Sequence, residues 1–133
     1  MQNAVLFKVH ADDMPVSVIV PGRGRTKNGR LWVYVRDDRP ATSAEPPAAW
    51  YGDSPNRRGE HPQAHLKDYC GILQADAYGG WGKIYATGRV GEAACWAHPR
   101  RPFWGMYENQ GRVAGSVADQ ALQRIAAVCA VAG

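Results

Sequence analysis

Short apolar runs, each closed by a cluster of glycine, proline or acid, divide this chain into elements. From Val5 to Val20 the residues are rich in Val, Ile and Phe ("VLFKVH", then "VSVIV"), which suit a pleated surface and predict a first strand. "PGRGRTKNG" breaks the run, with Asn28-Gly29 its strongest turn signal. "RLWVYVR" then alternates Leu31, Val33 and Val35 against Trp32 and Tyr34, a period of two that predicts a second strand. The pair reads as a hairpin with a long loop. "DDRPATSAEPP" is a loop, and "AAWYGDS" a short third strand.

The period changes after "PNRRGEHPQ". Pro62 opens a predicted short helix, "PQAHLKDY". "GILQAD" follows as a buried strand that ends in an acid. In "AYGGWGKIYATG" the glycines weaken a helix, but Trp81, Ile84 and Tyr85 keep roughly helical spacing. "RVGEAACWAH" predicts a strand ending near Cys95, and Pro102 argues against a regular helix through "PRRPF". The last helix is the clearest: Ser116 can cap it, Asp119 follows in capping-box style, and Val117, Ala121, Leu122, Ile125, Val128 and Cys129 make one apolar face. Three strands followed by alternating helices and strands predict an α/β fold, a mixed sheet with helices on its faces.

Composition narrows the class. With 133 residues, 45% of them hydrophobic, the chain can bury one core. No apolar run is long enough to span a bilayer, and the N-terminus lacks a signal-peptide pattern, so a cytoplasmic location with no membrane partner is expected. Cys70, Cys95 and Cys129 form no disulfide framework, which fits a reducing compartment. The net charge of +4 permits a polyanionic partner. Its cations cluster: Arg23, Arg25, Lys27 and Arg30; Arg57 and Arg58; Arg100 and Arg101.

One feature resists the strand reading. Asp12 and Asp13 are adjacent like charges inside a run that otherwise reads as extended, where Asp is disfavoured. Asp76 ends the fourth strand. In a mixed sheet the first strand and the strand after the first helix can be neighbours, which would bring Asp12 and Asp76 to one sheet edge. Two such carboxylates repel unless a cation sits between them, and carboxylate oxygen is what Mg²⁺ prefers. Two ions about 3.5–4 Å apart can hold the attacking and leaving oxygens of a phosphoryl displacement. The bland alternative is a surface turn. Cys95 and His98 form a C-x-x-H pair, but no second pair completes four ligands, so structural zinc is not expected. Neither a phosphate-binding G-x-x-x-x-G-K-[ST] loop nor a G-x-S-x-G elbow occurs. Trp32 and Trp81 are expected to fill the core.

The phrases "HADDMPV", "GRLWVYVRDDRP", "RRGEHPQAHL", "GILQADAYGGW" and "EAACWAHPRRPF", in this order, resemble the insertion-sequence-66 family of bacterial DDE transposases. The resemblance implies a ribonuclease-H-like core of residues 1–105 or so, with a C-terminal helix over about 116–131. Such cores use three acids and two divalent ions, here Mg²⁺, to cut and join DNA. It assigns the first catalytic and metal-binding acid to Asp12 and the second to Asp76, with Asp13 in support. It also implies that His98 supports the acids or touches a phosphate. Arg100 and Arg101 are candidate phosphate contacts because guanidinium pairs bidentately with phosphate, and Arg23, Arg25 and Lys27 are candidates for binding the DNA backbone. The family's third acid falls further downstream than these residues, and neither Glu92 nor Glu108 takes its place in the pattern. Met14 stands where the family has Thr, and Pro99 and Pro102 interrupt its "HARRKF" phrase. The expectation is an internal piece of a transposase, incomplete at its C-terminus and inactive alone. Its partners would be DNA and either a second copy or an intact transposase. The alternative is a non-catalytic DNA-binding or oligomerising module that modulates the intact enzyme.

Overall fold

The computed structural model describes residues 7–41 and 43–131, so Val5 and Leu6 of the first predicted strand lie outside the described residues. Strands β1 (Lys8–Ile19), β2 (Thr26–Arg36), β3 (Ala48–Ser54), β4 (Gly71–Ala75) and β5 (Val90–Ala94) form one sheet in the order β3-β2-β1-β4-β5. β1 pairs antiparallel with β2, and β2 with β3, while β1–β4 and β4–β5 are parallel. Antiparallel neighbours need only hairpin loops, whereas parallel ones need crossovers. Helix α1 (Glu60–His65) accordingly lies between β3 and β4, and α2 (Gly82–Tyr85), entered by a 3-10 turn at Gly79–Trp81, between β4 and β5. This is the mixed α/β sheet expected, with a ribonuclease-H-like strand order.

The first hairpin differs from the sequence reading. Asn28 and Gly29 do not turn the chain; they lie inside β2, opposite Ser17 and Val16. The turn falls earlier, where Gly22 and Gly24 take the positive φ values of 77° and 58° that glycine adopts without strain. Gly29 serves packing instead: a Cβ there would stand 3.1 Å from both the Ser54 carbonyl oxygen and a Val18 methyl.

One face of the sheet is the core. Val9 and Ala11 of β1, Trp32 and Tyr34 of β2 and Leu73 and Ala75 of β4 are buried there, under Leu66, Trp81 and Ile84. The indoles of Trp32 and Trp81 meet edge to face, with centroids 5.6 Å apart. Gly71 enters β4 at a φ of 151°, and a Cβ there would lie 2.4 Å from the Phe7 carbonyl oxygen. Gly71→Ala is therefore expected to destabilise the protein by about 2–3 kcal/mol, the scale of a forced backbone conformation. Urea unfolding should show a lower midpoint at unchanged slope.

Burial, with the Asp13 charge adding to it, pushes the Tyr34 hydroxyl up to about 12; burial with Glu92 and Asp76 does the same at Tyr85. The unfolded phenol ionises near 10. Each tyrosine thus contributes stability that is intact below about pH 10 and is lost as pH climbs toward 12. Tyr34→Phe should flatten that alkaline loss in unfolding curves taken between those limits.

Residues up to Ala94 form one compact unit and those from Cys95 a second. In the second, α3 (Ala97–Asn109) packs on α4 (Val117–Val131). The fifth strand ends at Ala94, next to Cys95 as expected, and helix α3 corrects the sequence reading by running through Pro102. Pro99 lies in the first turn, whose N–H groups have no acceptor within the helix. Pro102 deletes only the bond to the His98 carbonyl, a cost that packing on α4 can offset. Helix α4 is capped as expected, the Asp119 N–H donating to Ser116 Oγ at 3.2 Å. Its buried stripe is narrower than the apolar face read from the sequence. Ala118, Leu122 and Ile125 are buried, while Val117, Val128 and Cys129 are exposed.

Candidate active site

The strand period gives Asp12 and Asp13 opposite fates. Val9, Ala11 and Asp13 share the core face of β1, and Asp13 lies opposite the buried Trp32 of β2. Its carboxylate is wholly buried. Asp12 takes the alternate position and is exposed, with one carboxylate oxygen accepting the Asp13 N–H at 2.8 Å.

Asp76 follows β4 directly. The last residues that pair between β1 and β4 are His10 and Gln74, so Asp12 and Asp76 each stand two positions further along adjacent parallel strands. The Asp76 carboxylate is held on both oxygens. Oδ1 accepts the Trp81 indole N–H at 2.8 Å and the Tyr78 N–H at 3.2 Å. Oδ2 accepts from Arg57 Nη2 at 2.9 Å. Burial alone pushes this carboxyl up; the bonds from Trp81, Tyr78 and Arg57 together outweigh it and leave it below the usual range.

Arg57 joins the two strands' acids. Its Nε and Nη2 grip Asp13 at 2.9–3.0 Å, and Nη2 also reaches Asp76. Asp13 before all, then Asp76, holds the guanidinium more firmly charged than usual. Arg30 adds a second cation to Asp13, at 3.1 Å. A buried carboxylate without such partners would be strongly destabilising. The Arg57 guanidinium lies 3.9 Å from the Tyr78 ring centroid, and the Tyr78 hydroxyl donates to the Arg57 carbonyl oxygen. The loop that delivers Arg57 is pinned as well: Trp32 Nε1 donates to Ser54 Oγ at 2.7 Å, and that hydroxyl donates to the Asn56 carbonyl at 2.6 Å. Core, loop and acids thus form one bonded unit.

Sequence reasoning placed Arg57 only in a loop cluster of cations. What would have singled it out is the charge balance on the core face, since a buried acid at position 13 demands a cation. The remaining expected residues fall elsewhere. Arg23, Arg25 and Lys27 line the turn and the distal end of the β1–β2 hairpin, all exposed, and none has an ion-pair partner among the described residues. His98, Arg100 and Arg101 lie in the first turns of α3; the two arginines are exposed, with Arg100 5.1 Å from the Trp104 ring centroid. Among the described residues no group of three or more His, Cys, Asp or Glu side chains gathers around a metal position. Two oxygen-donating acids still suit Mg²⁺ in kind, because that ion keeps waters and substrate oxygens in its shell. No helix of the described residues is long and apolar enough to cross a membrane.

A mixed sheet of this order is that of a ribonuclease-H-like fold. Comparison with known proteins sharpens that assignment. Residues 4–132 match the Transposase IS66 family, and the chain belongs to this family of DDE transposases. Three proteins of Sinorhizobium fredii (strain NGR234) are similar to it. Uncharacterized protein y4hP is 42% identical over 107 residues, covering 77% of this chain and 19% of the relative. Uncharacterized protein y4qI is 35% identical over 107 residues (75% and 20%), and y4jD 35% over 103 residues (72% and 20%). The chain therefore spans about a fifth of the length of these curated relatives.

Proposed function

We propose that this chain is a portion of a transposase catalytic core that contributes Asp12 and Asp76 as two of the acids holding divalent cations, Mg²⁺ in the cell. The observation that supports the reading is the register of β1 and β4, whose parallel pairing runs to His10 and Gln74, two positions before Asp12 and Asp76. The exposure of Asp12 supports it too, since a ligand must be open to ion and substrate. A bound cation would polarise the attacking oxygen, first water and then a DNA 3′-hydroxyl, and neutralise charge on the phosphate. The chain's own part is to fix the ligand oxygens: Trp81 and the Tyr78 N–H orient Asp76, and the alternation of β1 presents Asp12. Asp13 supports the pair from behind through Arg57.

DNA is the proposed partner. The exposed Arg23, Arg25 and Lys27 of the β1–β2 hairpin, with Arg100 and Arg101 of α3, contribute phosphate contacts, and His98 a polar one. These residues alone supply two of the family's three acids, so negligible strand cleavage is expected. The test is a duplex-binding and nicking assay on the 133-residue chain. Binding that weakens steeply with salt, and weakens further when Arg23, Arg25 and Lys27 are all changed to Gln, is the expected result. Failure to bind at low salt contradicts the reading of DNA as partner. A Mg²⁺-dependent nick lost in Asp12→Ala and Asp76→Ala contradicts the inactivity.

A further inference from the structure

Asp13 is a wholly buried carboxylate beside the site, and Arg57 spans from it to Asp76 with a single guanidinium. A solvated surface arginine has no need of this construction. Arg57 is bidentate on one acid, bonded to a second, stacked on Tyr78, and fixed at its own carbonyl by the Tyr78 hydroxyl. Arg30, in contrast, touches Asp13 and not Asp76. Two arginines here meet two acids, and only Arg57 reaches both of them.

We propose that Arg57 is a positioning residue: anchored on Asp13, it clamps Asp76 in the orientation that receives a divalent cation. This rests on the reading of Asp12 and Asp76 as cation ligands. The guanidinium occupies one lone pair of Asp76 Oδ2, and the Trp81 and Tyr78 N–H groups hold Oδ1, so the carboxylate cannot rotate freely. A carboxylate held in this way loses little freedom when it takes up an ion. Outer-shell bonds to ligating side chains are commonly worth about 10–100-fold in metal affinity. Positive charge is not the operative property, since a cation beside a ligand by itself repels an incoming ion. What Arg57 supplies is span: its planar fork reaches two carboxylates at once, and a lysine's single ammonium does not.

That distinction supplies the experiment. Mn²⁺ binding to the 133-residue chain is followed by electron paramagnetic resonance, with circular dichroism as the control for folding. Arg57→Lys keeps the charge and loses the fork, and should weaken Mn²⁺ about tenfold. Arg30→Lys, on an arginine that does not reach Asp76, should leave the affinity within about twofold of the parent, because it lies outside the bonds that hold the ligand. If Arg57→Lys fails to fold, Asp13→Asn replaces it: the shape of the anchor is kept, its charge removed, and weaker Mn²⁺ binding is again expected. Binding that depends on Asp12 and Asp76 but is unchanged in Arg57→Lys, or in Asp13→Asn where that variant stands in, overturns the clamp and leaves the site reading intact. Equal losses in Arg57→Lys and Arg30→Lys also overturn it, since a general loss of charge geometry would then explain both. No Mn²⁺ binding by the parent chain overturns the site reading and the clamp together.

Discussion

Asp12→Ala and Asp76→Ala are each expected to abolish Mn²⁺ binding by this chain while leaving it folded. Asp12 is exposed, so its removal exposes no core. Asp76 is mostly buried, but Trp81 and Arg57 retain other partners in Trp32, Tyr78 and Asp13. With one carboxylate gone, the site offers a single protein ligand to an ion that already meets most of its coordination with water. Titration calorimetry with Mn²⁺ at low salt reads this directly. Heat of binding that persists in either variant would place the cation elsewhere. The corresponding Asp13 variants behave differently, because Asp13 faces the core: their first effect is on stability and on how firmly Asp76 is held.

Trp81→Ala carries the largest expected cost in stability, roughly 3–5 kcal/mol, the range for emptying a buried indole site. Trp81 is 1% exposed, packs edge to face on Trp32, and lies 6.5 Å from the Tyr78 ring, again edge to face. Its indole nitrogen also donates to Asp76, so the same residue closes the core and orients the proposed ligand. Trp81→Phe separates the two roles. The ring is kept and the N–H lost, so stability should fall by only about 1–2 kcal/mol, the cost of an unmade bond plus a small cavity. Mn²⁺ affinity should fall as well. Denaturant unfolding of both variants, with Mn²⁺ titration of Trp81→Phe, checks the pair. A Trp81→Phe variant with the parent's affinity would show that the indole only packs.

The sheet was legible because its strands carry their own signals. "RLWVYVR" alternates cleanly, "GILQA" is a short apolar run bounded by turn residues, and the crossovers follow from helical spacing between strands. The site was legible only in part. Asp12 and Asp76 stand out as acids where strands disfavour them. That Asp13 points the other way follows from the strand period alone. Its partner Arg57 is 44 residues away in sequence, and no local pattern links them. The hairpin turn was misplaced because Asn-Gly is a strong local signal, overridden here by the close approach of Gly29 to Ser54 and Val18. Helix α3 was missed because proline is read as a breaker wherever it falls. Yet Pro99 sits where its missing N–H costs nothing, and Pro102 loses a single bond. The apolar face of α4 is wider than its buried stripe because helical period identifies apolar positions, not which of them find a neighbour.

Iron mapping tests the central claim most directly. Fe²⁺ substituted for Mg²⁺ and treated with ascorbate and peroxide releases hydroxyl radicals that cut the backbone beside the bound ion. Fragments ending near residues 12 and 76, suppressed by excess Mg²⁺ and missing in Asp76→Ala, are the predicted result. Cuts clustered at other positions, or cuts near 12 and 76 that survive Asp76→Ala, would contradict it.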